Sequence, residues 1–187
     1  ERLWTKLFRR MLTFLLTPWS RIFPSKFHLQ CPLAGANSTH SLQWVIWETL
    51  RIHSTSSMGL PREIPPEAGP VEICGHTFQP GDVVSVPSYT IHRSLEIWGP
   101  DAEQFVPERW SPARLTARQK AAFIPFSTGP RACVGRNVAE MELFVIMATV
   151  FRLFDYEIQQ KGPMQTREGF LRKPLGLQVG IKRRIIA

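Results

Sequence analysis

One stretch combines residues that could hold a metal through sulfur: Phe126-Ser127-Thr128-Gly129-Pro130-Arg131-Ala132-Cys133-Val134-Gly135. Its cysteine sits in a loop containing Gly and Pro. Arg131 precedes it closely, and a long apolar helical pattern starts just after Gly135. Gly129 and Gly135 permit backbone angles that other residues resist. The free N–H groups and the dipole at the start of the following helix would stabilise a negative sulfur, and Arg131 adds a positive charge. A lone cysteine is ordinarily a small buried structural residue. This loop argues instead for a thiolate held still and presented to a metal.

Positioning such a loop takes rigid elements around it. Ser41-Leu-Gln-Trp-Val-Ile-Trp-Glu-Thr-Leu-Arg-Ile-His53 reads as a helix that Ser41 could cap. Glu48 and Arg51 share a face of it and can pair. An isolated pair of this kind is usually a solvated surface pair of small value, but the helix is otherwise apolar, which argues for burial. A buried pair needs a third partner for the remaining guanidinium donors, and Pro107-Glu108-Arg109-Trp110 can provide it. After Gly135, residues 136–154 form a helix that is apolar almost all round beyond Glu142, as expected of a helix buried within a protein. Glu140, Glu142 and Arg152 argue against a membrane span.

The remaining segments read more plainly. Val71–Cys74 and His76–Phe78 make a hairpin turning at Gly75, with a further strand at Val83–Val86 after Pro80-Gly81. Cys74 is read as a strand residue. Pro87–Arg93 is a short helix, and its His92, with no nucleophile or paired carboxylate at a telling distance, is read as structural rather than as a base. Residues 94–125 are a meander dotted with Pro and Trp. Phe154–Ile158 and a strand near Leu177–Ile181 make a closing hairpin around a Lys161-Gly162-Pro163 turn. Residues 1–23 alternate basic and apolar positions at near-helical spacing. They suit either a helix on a membrane surface or one packed on other parts of a fold.

Composition bounds the function. With 187 residues and 43% hydrophobic content the chain can build a core. Cys31, Cys74 and Cys133 are far apart and odd in number, which disfavours a disulfide framework or a zinc knuckle. The net charge of +8 would suit nucleic acid, an anionic membrane or an acidic protein. Its positive residues are scattered rather than striped and no nucleic-acid motif is present, so a nucleic-acid partner is not expected. The chain starts at Glu1, and on that ground it reads as a fragment or a processed product.

The pattern Phe-x-x-Gly-x-Arg-x-Cys-x-Gly resembles the haem-binding loop of the cytochrome P450 family. A thiolate axial ligand to haem iron must stay deprotonated against an apolar macrocycle, which the loop's features serve. Glu48-x-x-Arg51 and Pro107-Glu108-Arg109-Trp110, in that order before the cysteine, resemble two further motifs of the family, with Trp110 where Phe is commoner. The resemblance runs from about Ser41 to Arg184. It implies a mainly α fold with small β-sheets (α+β), the C-terminal portion of the cytochrome P450 fold, truncated. Residues 41–187 would be the haem-binding part and residues 1–40 an uncertain N-terminal segment, either associated with a membrane or not authentic.

By the same resemblance Cys133 is the iron ligand of haem b (iron protoporphyrin IX). Arg131 and Arg62 reach haem propionates, Phe126 packs near the sulfur, and Gly129 and Gly135 shape the loop. Glu48, Arg51 and Arg109 form a buried charge network bracing it. Ser54–Met58 and the loop 170–176 line a substrate pocket. The implied activity inserts one oxygen atom of O2 into an organic substrate, with electrons from NADPH-cytochrome P450 reductase docked on the basic, cysteine-bearing side. The implied location is the cytosolic face of the endoplasmic reticulum membrane. Within the family, residues 48–62, 86–93 and 169–176 most resemble fungal benzoate para-hydroxylases, which implies a small aromatic acid as substrate. The alternative is a catalytically incomplete chain without monooxygenase activity. Residues 31–39 echo the Ala-Gly-x-acid-Thr-Thr signature of the family's oxygen-activating helix. Asn37 replaces the acid and the Glu48 helix follows too closely, so chance or a chain joined across a deletion accounts better for the echo. Thr39 is left a marginal candidate for proton delivery.

Overall fold

The computed structural model describes residues 38–159, 162 and 164–185. The readings of residues 1–37, Cys31 and Asn37 among them, lie outside these. Helix α1 spans Ser38–Ile52. It begins ahead of the expected cap, so Ser41 falls inside its first turn. Thr39 lies on this same helix, which also carries Glu48, rather than on an oxygen-activating helix of its own.

Short elements follow: β1 (Arg62–Glu63), β2 (Val71–Ile73), β3 (His76–Phe78), β4 (Val83–Val84), α2 (Ser88–Ile91) and α3 (Leu95–Trp98). The expected hairpin is present, β2 pairing antiparallel with β3. Cys74 is not in the strand. Cys74 and Gly75, with φ of 51° and 78°, are the two central turn residues, the backbone signs a tight hairpin turn requires. β4 leaves the hairpin and pairs with β1, because the turn at Gly81, with φ of 88°, redirects the chain. Gly59 has a steric reason to be glycine: a Cβ there would stand 2.4 Å from the Val86 carbonyl oxygen.

The meander holds more structure than its composition suggested. Pro107–Trp110 is a 3-10 turn, and α4 (Ala117–Ala122) is opened by a Thr116/Gln119 capping box. This is the Thr-x-x-Gln pattern of a helix start. A 3-10 turn at Gly129–Arg131 leads to α5 (Arg136–Leu153). β5 (Phe154–Ile158) pairs with β8 (Val179–Arg183), closing the tail as expected. A second hairpin, β6 (Gln165–Arg167) with β7 (Lys173–Leu175), is nested between them.

Two apolar clusters hold these pieces together. In one, Leu42, Ile46 and Leu50 of α1 pack on Leu143, Phe144, Met147 and Ala148 of α5. In the other, Trp98, Ala102 and Trp110 gather Trp44, Trp47, Leu115 and Phe123. The second is aromatic, with Trp110 edge-on to Phe123 at 4.5 Å between ring centroids. The all-round burial expected of α5 does not hold within this chain. Val138, Met141 and Ile146 are exposed, because α5 packs on α1 along one side only. None of the described helices is long and apolar enough to cross a membrane.

Candidate functional site

The residues read as a charge network are brought together and buried. Glu48 and Arg51 are fully buried and Arg109 nearly so. Arg51 grips Glu48 with two bonds, Nε to Oε2 at 2.9 Å and Nη2 to Oε1 at 2.8 Å. Arg109 Nε donates to Glu48 Oε1 at 2.9 Å. The partners of Arg51's other donors differ from the expectation. They go to main-chain carbonyls of His92 (2.6 Å), Ala102 (2.7 Å) and Gln104 (3.0 Å), not to residues 107–110. Arg109 is itself a cation and cannot accept, so the segment it lies on serves the carboxylate instead.

Trp110 makes that role clearer. Its indole N–H donates to Glu48 Oε2 at 2.9 Å, and Val106 N donates to Oε1 at 2.8 Å. Replacing the commoner Phe is therefore more than keeping an aromatic ring, since Phe has no donor. Burial alone would raise the Glu48 carboxyl. Hydrogen bonds from Arg51, Val106 and Arg109, with the charge of Arg51, outweigh it and hold the carboxyl below its ordinary value. A buried carboxylate with every direction satisfied is a rigid post rather than a proton carrier.

The cysteine loop is anchored by its main chain. Cys133 N donates to the Phe126 carbonyl at 2.9 Å, Ala132 N to Gly129 O at 3.0 Å and Arg136 N to Cys133 O at 3.3 Å. Phe126 is thus tied to Cys133 through backbone, and the Arg136 guanidinium stands over its ring at 5.9 Å. Gly129 uses the freedom expected of it, with φ of 73°. Gly135 does not: its φ of −83° is open to any residue. Nor is space demanded, since a Cβ there would lie 3.9 Å from Cys133 Sγ, an ordinary contact. Ser127, with φ of 61°, is a left-handed turn residue that no sequence signal marked.

Cys133 is free and exposed, three residues ahead of the N-terminus of α5. Among the described residues no group of three or more His, Cys, Asp or Glu could hold a metal ion. A bare ion needs several protein ligands, whereas a macrocycle brings its own four and needs one axial donor. One sulfur, with glycine beside it and a helix N-terminus behind it, fits the second case. Arg131 ends the 3-10 turn just ahead of the cysteine, and its side chain is exposed. Arg62 lies apart on β1, exposed, with Nη1 donating to the neighbouring Pro61 carbonyl at 2.9 Å.

The two segments read as pocket walls meet. Arg172 N donates to the Thr55 carbonyl at 2.8 Å and Ser57 Oγ to Glu168 Oε2 at 2.7 Å. The apolar side chains of Met58, Phe170 and Leu171 are exposed.

Comparison with known proteins follows the geometry. The cytochrome P450 family profile matches residues 35–181, and the chain belongs to the cytochrome P450 family. It is 85% identical over 143 residues to benzoate 4-monooxygenase bphA of Aspergillus niger, covering 76% of this chain and 28% of that protein. It is 39% identical over 128 residues to the cytochrome P450 monooxygenase hepC of Aspergillus oryzae, covering 67% of this chain and 25% of that one. The crystal structure of a cytochrome P450 superimposes with a TM-score of 0.65 at 28% identity, over 77% of this chain and 32% of the other. The chain thus spans less than a third of the length of these relatives. Its helices and small sheets are a part of the cytochrome P450 fold.

Proposed function

We propose that the chain is the haem-binding part of a haem-thiolate monooxygenase that hydroxylates a benzoate-like aromatic acid at the para position. The observation that carries this reading is the 85% identity over 143 residues to a benzoate 4-monooxygenase. The same observation favours it over a chain without monooxygenase activity. In the overall reaction one atom of O2 enters a C–H bond and the other leaves as water. Two electrons are supplied by NADPH through a reductase.

Cys133 would hold haem b through its sulfur, with Arg131 and Arg62 on the propionates and Phe126 covering the sulfur side. Haem so held would supply the activation of dioxygen, with Cys133 as its electron-donating ligand. Glu48, Arg51 and Arg109 keep the base of the loop fixed. The turn 54–58 and the loop 170–176, joined by the Thr55–Arg172 bond, would hold the ring of the substrate against apolar side chains. NADPH-cytochrome P450 reductase would dock on the side that bears Cys133, which the basic excess of the chain would favour. Location at the cytosolic face of the endoplasmic reticulum membrane completes the proposal.

The test is to load the chain with haem and titrate benzoate against benzene. A benzoate-induced change in the haem absorption spectrum, with 4-hydroxybenzoate formed when reductase and NADPH are added, supports the reading. Binding of haem without any response to benzoate removes the substrate assignment.

A further inference from the structure

We infer that His92 is a positioning residue that couples the Glu48–Arg51–Arg109 core to the backbone leading into the Cys133 loop. His92 follows α2 and is fully buried, so it touches neither solvent nor substrate. One side of the residue faces the core: its carbonyl accepts Arg51 Nη1 at 2.6 Å. The other side faces the loop: its imidazole Nε2 accepts the Ile124 N–H at 2.9 Å.

From Ile124 the bonds run on toward the cysteine. The Ile124 carbonyl accepts Ser127 N at 3.0 Å, fixing the left-handed turn there, and Phe126 O accepts Cys133 N at 2.9 Å. His92 is therefore a direct hydrogen-bonded link between the buried charges and the entry of the loop. A parallel route runs through rings. His92 packs on Phe123 at 5.6 Å, Phe123 on Trp110 at 4.5 Å, and Trp110 bonds Glu48.

The tautomer argues that the acceptor, not the ring's bulk, is what the site uses. An Nε2 that accepts leaves the proton of the neutral ring on Nδ1. Nδ1 is buried without a partner. An unpaired buried donor costs free energy, so a site needing only bulk would be better served by Phe. Histidine is the better occupant if the bond to Ile124 is worth more than the orphaned N–H costs. Burial, helped by the charges of Arg51 and Arg93, outweighs the attraction of the Arg51 main chain for the ring proton, which falls short of a well-formed hydrogen bond, and pushes the imidazole down to about 4, in agreement with the neutral form.

The coupling can be measured on the full chain without cofactor, by amide hydrogen exchange in H92F and H92Q. Phe keeps the bulk and cannot accept, whereas the Gln carbonyl can take the Ile124 N–H. Coupling predicts protection at Ile124 at least tenfold lower in H92F, lower protection at Ser127 and Cys133, and substantial recovery in H92Q. Wild-type protection at all three amides in H92F would overturn it. Should H92F fail to fold, I124P deletes the donor and leaves His92 in place. Phe123 is already extended there, with φ of −82° and ψ of 94°, and Pro125 follows. Undiminished protection at Ser127 and Cys133 in I124P would equally overturn the coupling.

Its meaning for the iron site rests on the reading of Cys133 as ligand. The two are separable in the haem-loaded chain. A wild type without a thiolate spectrum, but with the exchange pattern above, would refute the ligand and leave the coupling standing. A thiolate spectrum with unchanged exchange in H92F would do the reverse.

Discussion

The surroundings of Glu48 and the loop of Cys133 lie in one fold and are built on opposite terms. Around Glu48 the chain answers every need itself. The carboxylate accepts from Arg51, Arg109, Trp110 and the Val106 N–H, and Arg51's remaining donors reach three carbonyls. Around Cys133 only the backbone is tied down, and the thiol proposed as ligand is exposed. The difference separates two kinds of polar residue by physics alone. Charges that brace a fold must be compensated where they stand, because an unpaired buried ion costs several kcal/mol. A ligand atom must instead keep its lone pair available.

Substitutions should divide along that line. The largest effect is expected at Glu48. E48Q leaves the buried Arg51 guanidinium without its counter-ion and Arg109 with only the half-buried Asp101, and a loss of about 3–5 kcal/mol of unfolding free energy is expected in urea melts. Retention of wild-type stability would show the pairs to be replaceable.

The second effect is one of pH. The folded-state pKa of His92 lies below its unfolded value, so the unfolded chain binds the extra proton as pH falls from about 6.5 to about 4. Stability contributed by the neutral imidazole is therefore full above pH 6.5 and lost on acidification through that window, by about 3 kcal/mol. Glu48, held below its ordinary value, adds a further loss at lower pH still. Melts of the wild type and H92Q between pH 7 and 4 should differ in slope, the variant being flatter.

W110F should come third. It keeps an aromatic ring and removes one donor to a carboxylate, a change worth about 1.5–3 kcal/mol. A neutral W110F would mean that packing, not the indole N–H, holds that corner. The smallest effect belongs to the other region. C133S should leave stability within about 0.5 kcal/mol of wild type, while abolishing the spectroscopic signature of a bound thiolate.

The braced region was largely legible in the sequence, and the reason is local. Glu48 and Arg51 share a helix face by spacing alone, and an apolar helix makes an exposed pair implausible. The three carbonyls that complete Arg51 come from residues 92, 102 and 104, in irregular chain where no period announces which oxygen points inward. His92 was read as structural, but its partner Ile124 lies across the fold, and nothing local to either residue signals the bond.

In the loop, residue types suggest a chemistry, while backbone detail stays hidden. Gly135 has ordinary dihedral angles and room for a Cβ, so the geometry of this chain alone does not account for the glycine there. The turn at Ser127 has no glycine to mark it. Strands of two residues, such as β1 and β4, carry too little pattern to reveal their pairing. The exposed apolar positions of α5 show the limit of a composition argument: an apolar surface reveals that a helix wants covering, not what covers it.

The measurement closest to the central claim is the carbon monoxide difference spectrum of the reduced, haem-loaded chain beside C133S. A strongly red-shifted Soret band in the wild type, lost in C133S, is the predicted result and identifies Cys133 as a thiolate ligand. A wild type showing only the band of neutral ligation or free haem, indistinguishable from C133S, would contradict it.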